Sequence, residues 1–271
     1  MPTARGNKPL KMVVFDLDET LGYFTELSMF WDAIEGFYGH NLLPDKFFEI
    51  LDTFPEFTRP DILHILDYIH SKKIKNQCHR MLIYTNNQGP KSWVTMISDY
   101  FDARLGYKVF DQIIAAYKVN GKQIEPNRTS HEKSLKDLMS CAQTSANIEV
   151  CFIDDLYHPL MDQTNVYYIN IKPYRCSIPF TEMADRYYDQ VLSRNNLTSI
   201  KKPDFINYIV GFMKKYNYMV ANKSVEEIRT DKIASKKLLE NLTEFLVRKR
   251  IPPQTRKNRS KRIKTFRQKI N

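Results

Sequence analysis

Asp16 and Asp18 stand two residues apart in Phe15-Asp16-Leu17-Asp18-Glu19-Thr20-Leu21, directly after the apolar run Met12-Val13-Val14-Phe15. Like charges this close in a poorly solvated place repel, and one of them tends to keep its proton. A divalent cation removes the conflict. A second acidic pair, Asp154-Asp155, ends another apolar run, Val150-Cys151-Phe152-Ile153. If both runs belong to one sheet, the acids converge on a single point. Asp16, Asp18, Asp154 and Asp155 are therefore candidate ligands for a hard cation held through oxygen, and Mg²⁺ keeping several of its waters suits that donor set. An isolated Asp-x-Asp is usually an exposed acidic turn. Its combination with a preceding strand, a following Thr20, a strand-terminal Thr85 and the second acidic pair, in this order, is what singles it out.

The elements that must position these groups are legible in the hydrophobic pattern. Residues 11–16, 81–85 and 150–154 are short, continuously apolar runs rich in β-branched and aromatic residues, as strands buried on both faces require. Each ends on a polar residue: Asp16, Thr85 and Asp154. Residues 166–171 read as a fourth strand and 112–116 as a weaker fifth. Helical patterns fall between them at 61–69, 91–100 and 130–141. This alternation predicts an α/β fold with a parallel sheet and right-handed crossovers. Ligands of such sheets sit beyond the carboxyl ends of the strands, where the polar residues lie.

Residues 22–58 read as an aromatic-rich helical insertion after the first strand. It is expected to form helices near 26–38 and 45–53, the second started by Pro44, and to overhang the strand ends as a lid. Trp31, Phe24, Phe30 and Phe37 recur near helical spacing and are expected to form its small core. Residues 181–246 are expected to be helical throughout, with apolar positions at three and four spacing in 205–212 and 233–247.

This constellation resembles the haloacid dehalogenase (HAD) superfamily. The phosphatase branch of that superfamily carries a hydrophobic strand with D-x-D-x-[T/V], a strand ending in Thr or Ser, a Lys, and a strand ending in paired acids. Order and spacing match across about residues 11–172. Within the superfamily, D-L-D-E-T-L, Phe57-Thr58-Arg59-Pro60-Asp61 and Ile83-Tyr84-Thr85 are similar to the polymerase-tail phosphatases of eukaryotes, whose patterns are R-P-G and F-T-A-S. HAD phosphatases of large DNA viruses are similar too. Asn86-Asn87 stands here where the polymerase-tail group has Ala-Ser, and the helical insertion replaces a short β-hairpin.

The resemblance implies a Rossmann-like three-layer HAD fold and a Mg²⁺-dependent phosphoric monoester hydrolase. Asp16 would attack phosphorus to form an aspartyl phosphate. Asp18 would protonate the leaving oxygen and then deprotonate the hydrolytic water. The Asp16 carboxylate, the Asp18 backbone carbonyl and Asp155 would hold Mg²⁺. Thr85 and the backbone amide of Asn86 would bind the transferring phosphoryl oxygens, and a lysine would neutralise their charge. Lys133, 21 residues before Asp154, has the right position and is expected to open the helix; Lys136, in Lys-Asp-Leu, is the rival, with Lys118 third. Three residues apart on one helix, Lys133 and Lys136 could lean the same way. His158, before Pro159, is expected to be a hydrogen-bonded spacer.

Composition sets the outer limits. The 271 residues are 42% hydrophobic and 13% aromatic, enough to build a core and too much for a disordered chain. No run reaches the roughly 20 apolar residues of a spanning helix, and no secretory leader is expected at the amino terminus, so the expected location is intracellular, cytoplasmic or nuclear. Cys78, Cys141, Cys151 and Cys176 form no C-x-x-C pair and are expected to be reduced thiols. No Gly-rich phosphate cradle occurs. Of the net +10, eleven positive charges lie in 248–271 with no acid among them, leaving about −1 for the rest. The expected organisation is a catalytic core over 1–180, a helical extension over 181–246 and a basic, disordered tail over 247–271. The tail reads as a targeting address, a nonspecific nucleic-acid tether or a passive end. A phosphoprotein or a small phosphometabolite is the expected substrate. The competing reading is a catalytically idle scaffold that binds nucleic acid or protein through tail and extension.

Overall fold

A computed structural model of the chain describes residues 9–39, 44–144, 147–193, 200–218, 220 and 223–247. The basic tail at 248–271 lies outside the described residues, and so do the readings attached to it.

β1 (Leu10–Phe15) contains four consecutive apolar residues, Met12 to Phe15, none of them exposed. A strand with no polar face must lie in the middle of a sheet covered on both sides. It does. After the insertion helices α1 (Thr25–Tyr38) and α2 (Pro44–Thr53) come α3 (Ile62–Ile74), β2 (Arg80–Tyr84), α4 (Lys91–Leu105) and β3 (Gln112–Ile114). The hairpin β4 (Lys118–Val119) and β5 (Lys122–Gln123) follows, then α5 (Leu135–Ala142), β6 (Ile148–Asp154) and β7 (Val166–Asn170). The chain closes its described part with α6 (Phe180–Tyr187), α7 (Lys202–Met213) and α8 (Val225–Val247). The main sheet is parallel, in the order β3-β2-β1-β6-β7.

Side chains alternate between its faces, as the pleat demands. Val13, Phe15, Ile83 and Ile153 point into one core with the insertion and the carboxyl-terminal helices. Met12, Val14, Leu82 and Phe152 point into the other, closed by Leu138 and Cys141 of α5. The result is a three-layer α/β arrangement of Rossmann-like type. Phe30, Trp31, Phe47 and Phe54 of the insertion do form buried aromatic contacts, and they are continuous with the sheet's own core. No helix among the described residues is long and apolar enough to cross a membrane.

Two expectations about helices need correction. The helix before β6 begins at Leu135, because the Ser134 side chain accepts the Asp137 amide and caps it there. Residues 181–246 are not helical throughout: Asn217 takes a left-handed φ of 49° that ends the turn after α7, and α8 starts afresh at Val225. Residues 194–199, 219, 221 and 222 lie outside the described residues. α8 is tied to the sheet at its far end, where buried Lys11 donates to the carbonyls of Phe245 (2.6 Å) and Leu246 (3.1 Å), a cation on a helix carboxyl terminus.

The insertion is anchored by a buried acid. Glu26 of α1 accepts from Ser177 Oγ (3.0 Å) and Ile178 N (3.2 Å). Burial outweighs these donors and lifts its carboxyl from the ordinary 4.5 to about 7. Between those values the folded chain binds more protons than the unfolded one, so this group's contribution to stability falls as pH rises through the window. Glu26→Gln is expected to raise Tm at pH 8, by the equivalent of about 3 kcal/mol at most, and to change it little near pH 4. A gain of equal size at both pH values, in thermal melts, would contradict the assignment.

Candidate functional site

β1 lies between β2 and β6, with Phe15 in register with Ile83 on one side and Ile153 on the other. The carboxyl ends of these strands therefore meet at the same edge of the sheet. The Asp16 amide continues the ladder to Ile153 O (2.9 Å), and that of Thr85 to Ile114 O (3.0 Å). Asp16 and Asp154 thus sit side by side, and Asp155 follows. One carboxylate oxygen from each of Asp16, Asp154 and Asp155 lies within 4.8 Å of the other two. Thr20 Oγ1 is 3.2 Å from both Asp155 Oδ1 and Asp155 N, which ties the loop after β1 to the loop after β6.

Lys133 is the lysine that arrives. Its ammonium, buried with the acids, bonds Asp16 Oδ1 and lies 2.7 Å from Asp154 Oδ2. Lys136 is exposed, on the second residue of α5, and does not join the cluster. The expected sharing of one helix face fails because Lys133 lies before the Ser134 cap, outside the helix. Lys118 sits in the β4–β5 hairpin against Tyr117.

The electrostatics follow from burial and from a single cation facing several acids. Burial raises Asp16 well above the ordinary carboxylate value; Lys133 pulls it down, and Asp154 pushes it further up. Burial also opposes ionisation of Asp154, but Lys133 and His158 prevail and hold it below the ordinary value. Asp155 is pushed up to about 6 by burial and by Asp154. Burial works against the Lys133 charge, yet Asp16 and Asp154 more than compensate and keep it protonated. All three grouped donors are carboxylate oxygens, two of them buried and that of Asp155 half-buried. That donor set fits a hard divalent cation and suits no soft metal.

Asp18 stands apart. Its carboxylate accepts from Asn87 Nδ2 at 2.7 Å, and burial lifts its pKa despite that bond. Of the four candidate metal ligands, it is the one whose carboxylate the structure does not bring to the common point, since Asn87 holds it away; the resemblance assigns metal binding to its backbone carbonyl. Thr85 is buried, and its Oγ1 accepts the Asn87 amide at 3.0 Å. Asn86 directs Oδ1 to Arg128 (2.7 Å).

Two buried arginines hold this edge together. Arg128 donates to the carbonyls of Thr85 and Ala115 (both 2.9 Å) and of His131 (3.1 Å), locking the turn after β2 to the segment before Lys133. Arg59 donates to the carbonyls of Thr20 (2.5 Å), Glu19 (2.6 Å) and Lys172 (2.9 Å). It thereby fixes the turn after Asp18, in which Glu19 takes a φ of 57°. No local pattern around Arg128 could have announced it, since its partners are backbone oxygens from distant segments. His158 Nε2 lies 3.3 Å from Asp154 Oδ2, beside the carboxylate cluster.

No protein-family model matches the chain, and comparisons with curated proteins and with solved structures give no match.

Proposed function

We propose that this chain is a Mg²⁺-dependent phosphoric monoester hydrolase of HAD type, acting on a phosphoprotein or a small phosphometabolite through an aspartyl phosphate on Asp16. The observation that carries the reading is the gathering of Asp16, Asp154 and Asp155 around one point, with the Lys133 ammonium against Asp16 and Asp154. In this scheme the Asp16 carboxylate attacks phosphorus, an O–P bond forms, and the bond to the leaving oxygen breaks as Asp18 delivers its proton. Burial raises the Asp18 pKa, in the direction a proton donor needs, and Asn87 fixes the carboxyl. Asp18 then takes a proton from water, whose oxygen attacks phosphorus and frees Asp16 and inorganic phosphate. Lys133, Thr85 and the Asn86 amide would bear on the transferring oxygens. Bound through Asp16, Asp154 and Asp155, Mg²⁺ would neutralise charge that otherwise keeps phosphate and carboxylate apart.

The test is hydrolysis of a generic aryl phosphate with Mg²⁺ by the wild type and by Asp16→Asn. Equal rates would end the reading. The metal part has its own expected result, independent of turnover. Mg²⁺ at ten times its Kd should stabilise the fold by about 1.4 kcal/mol, seen as a rise in Tm that Asp155→Asn removes. A Tm indifferent to Mg²⁺ would contradict the ion site.

A further inference from the structure

A cavity of about 880 Å³ lies between the start of α3, the segment after β7 and the start of α8. Pro55, Ile62, Ile178 and Ile228 give it apolar walls, and Ile228 is 46% exposed. Hydrogen-bond donors without acceptors gather in the same lining. Arg59 is only 1% exposed, and its Nε and Nη2 donate to the carbonyls of Thr20, Glu19 and Lys172, yet its Nη1 is buried with no partner. The chain runs from Arg59 directly into α3, where Arg59 O accepts the Ile62 amide (3.1 Å). The next two amides, of Leu63 and His64, have no acceptor within the helix, as at any helix start, and the Asp61 side chain does not cap them. Leu63, His64 and Arg59 all line the cavity.

The acids nearby are engaged elsewhere or face water. Asp231, which acts on Arg59 through space, is held by Lys172 (3.3 Å) and by Lys223, and Glu56 is paired with Arg186 (2.7 Å). Asp61 is exposed, so solvent screens its charge. Lys223 adds a second cation to the lining, 4.0 Å from the centre of the Tyr174 ring. The three acceptors of Arg59 are all neutral carbonyls, and burial pulls its pKa from 12.5 down to about 10. We propose that this cavity binds a monocarboxylic acid with an apolar body, its carboxylate answering Arg59 Nη1 and the first-turn amides of α3. A carboxylate accepts such bonds more strongly than a neutral carbonyl does, and an amine would bring like charge against Arg59. The same guanidinium fixes the turn after Asp18, so the occupant meets a residue that shapes the proposed reaction centre without entering it.

The full chain is titrated calorimetrically with 4-phenylbutanoate, 4-phenylbutanamide and 4-phenylbutylamine at low ionic strength. Titration at two temperatures keeps a vanishing enthalpy at one of them from hiding the binding of an apolar body. The acid is expected to bind with a Kd about tenfold or more below that of the amide, and the amine more weakly than either. Arg59 holds the turn after Asp18, so it is left intact and the location is tested at two exposed lining residues. Ile228→Glu adds a like charge and should weaken the acid about threefold or more while moving the amide less. Asp61→Asn removes one and should tighten the acid selectively; Asn tolerates the left-handed φ of 60° at this position, so the fold is kept. Equal affinities for acid and amide, or no heat from the acid at either temperature, overturn the proposal. Acid binding indifferent to both variants places the acid elsewhere and overturns it as well. None of these readouts uses turnover, so the site stands or falls separately from the hydrolase reading.

Discussion

Asp16→Asn is expected to lower Mg²⁺-dependent hydrolysis of an aryl phosphate by about 10⁴-fold or more, equivalent to about 5.5 kcal/mol of lost barrier reduction, while leaving Tm unchanged or raised. The two halves of this expectation have one cause. Burial makes ionised Asp16 costly in the folded state, and an attacking carboxylate must be ionised. Asn has no anionic oxygen to attack phosphorus, so the covalent route closes. Its amide oxygen can still accept from Lys133, and the cost of a buried charge disappears. An acid kept only for structure would behave in the opposite way, losing stability and leaving turnover alone. Steady-state rates and thermal melts on the same preparation check both; a destabilised variant that still turns over at the wild-type rate would remove Asp16 from the chemistry.

The parallel sheet could be read in advance because β1, β2 and β6 are apolar on both faces, a pattern that half-exposed antiparallel strands do not show. The acids were legible for the same reason, since a carboxylate at the end of a buried strand has no ordinary structural use. What escaped depended on long-range contacts or on turn chemistry. Ser134 is an ordinary cap residue, but only the cap actually formed decides that Lys133 lies outside α5 and can reach Asp16. Asn120-Gly121, both at positive φ, makes the β4–β5 hairpin turn. That dipeptide is a recognised hairpin signal, overlooked because the flanking strands are only two residues each. Asp61 is instructive in another way. It occupies the place of the glycine in the R-P-G pattern and adopts a φ of 60°, so the backbone keeps a glycine-like conformation that aspartate tolerates better than most residues. Arg128 could not be anticipated, because a guanidinium that bonds carbonyls from several segments leaves no periodic trace; Arg59 stood in the R-P pattern, but the pattern did not show its carbonyl partners.

Lys133→Met is expected to be the most destabilising single change in the site, costing about 3–5 kcal/mol near neutral pH. Methionine fills a similar volume, so the loss is one of charge and not of packing. In the wild type the ammonium holds Asp154 below the ordinary carboxylate value, and this contribution to stability is present above the unfolded pKa of about 3.9 and lost as pH falls. Without the lysine the sign reverses. Asp16 and Asp154 then have folded pKa values above their unfolded ones, so the variant loses stability as pH rises from the ordinary carboxylate value through the raised ones. Tm of variant and wild type should therefore converge toward pH 4 and diverge toward pH 8. The Asp16→Asn/Lys133→Met double variant should be less destabilised than Lys133→Met alone, because one of the two stranded acids has been removed. A deficit of constant size across the pH range, with additive effects in the double variant, would mean that Lys133 contributes through its aliphatic stem and not as the counter-charge of the cluster.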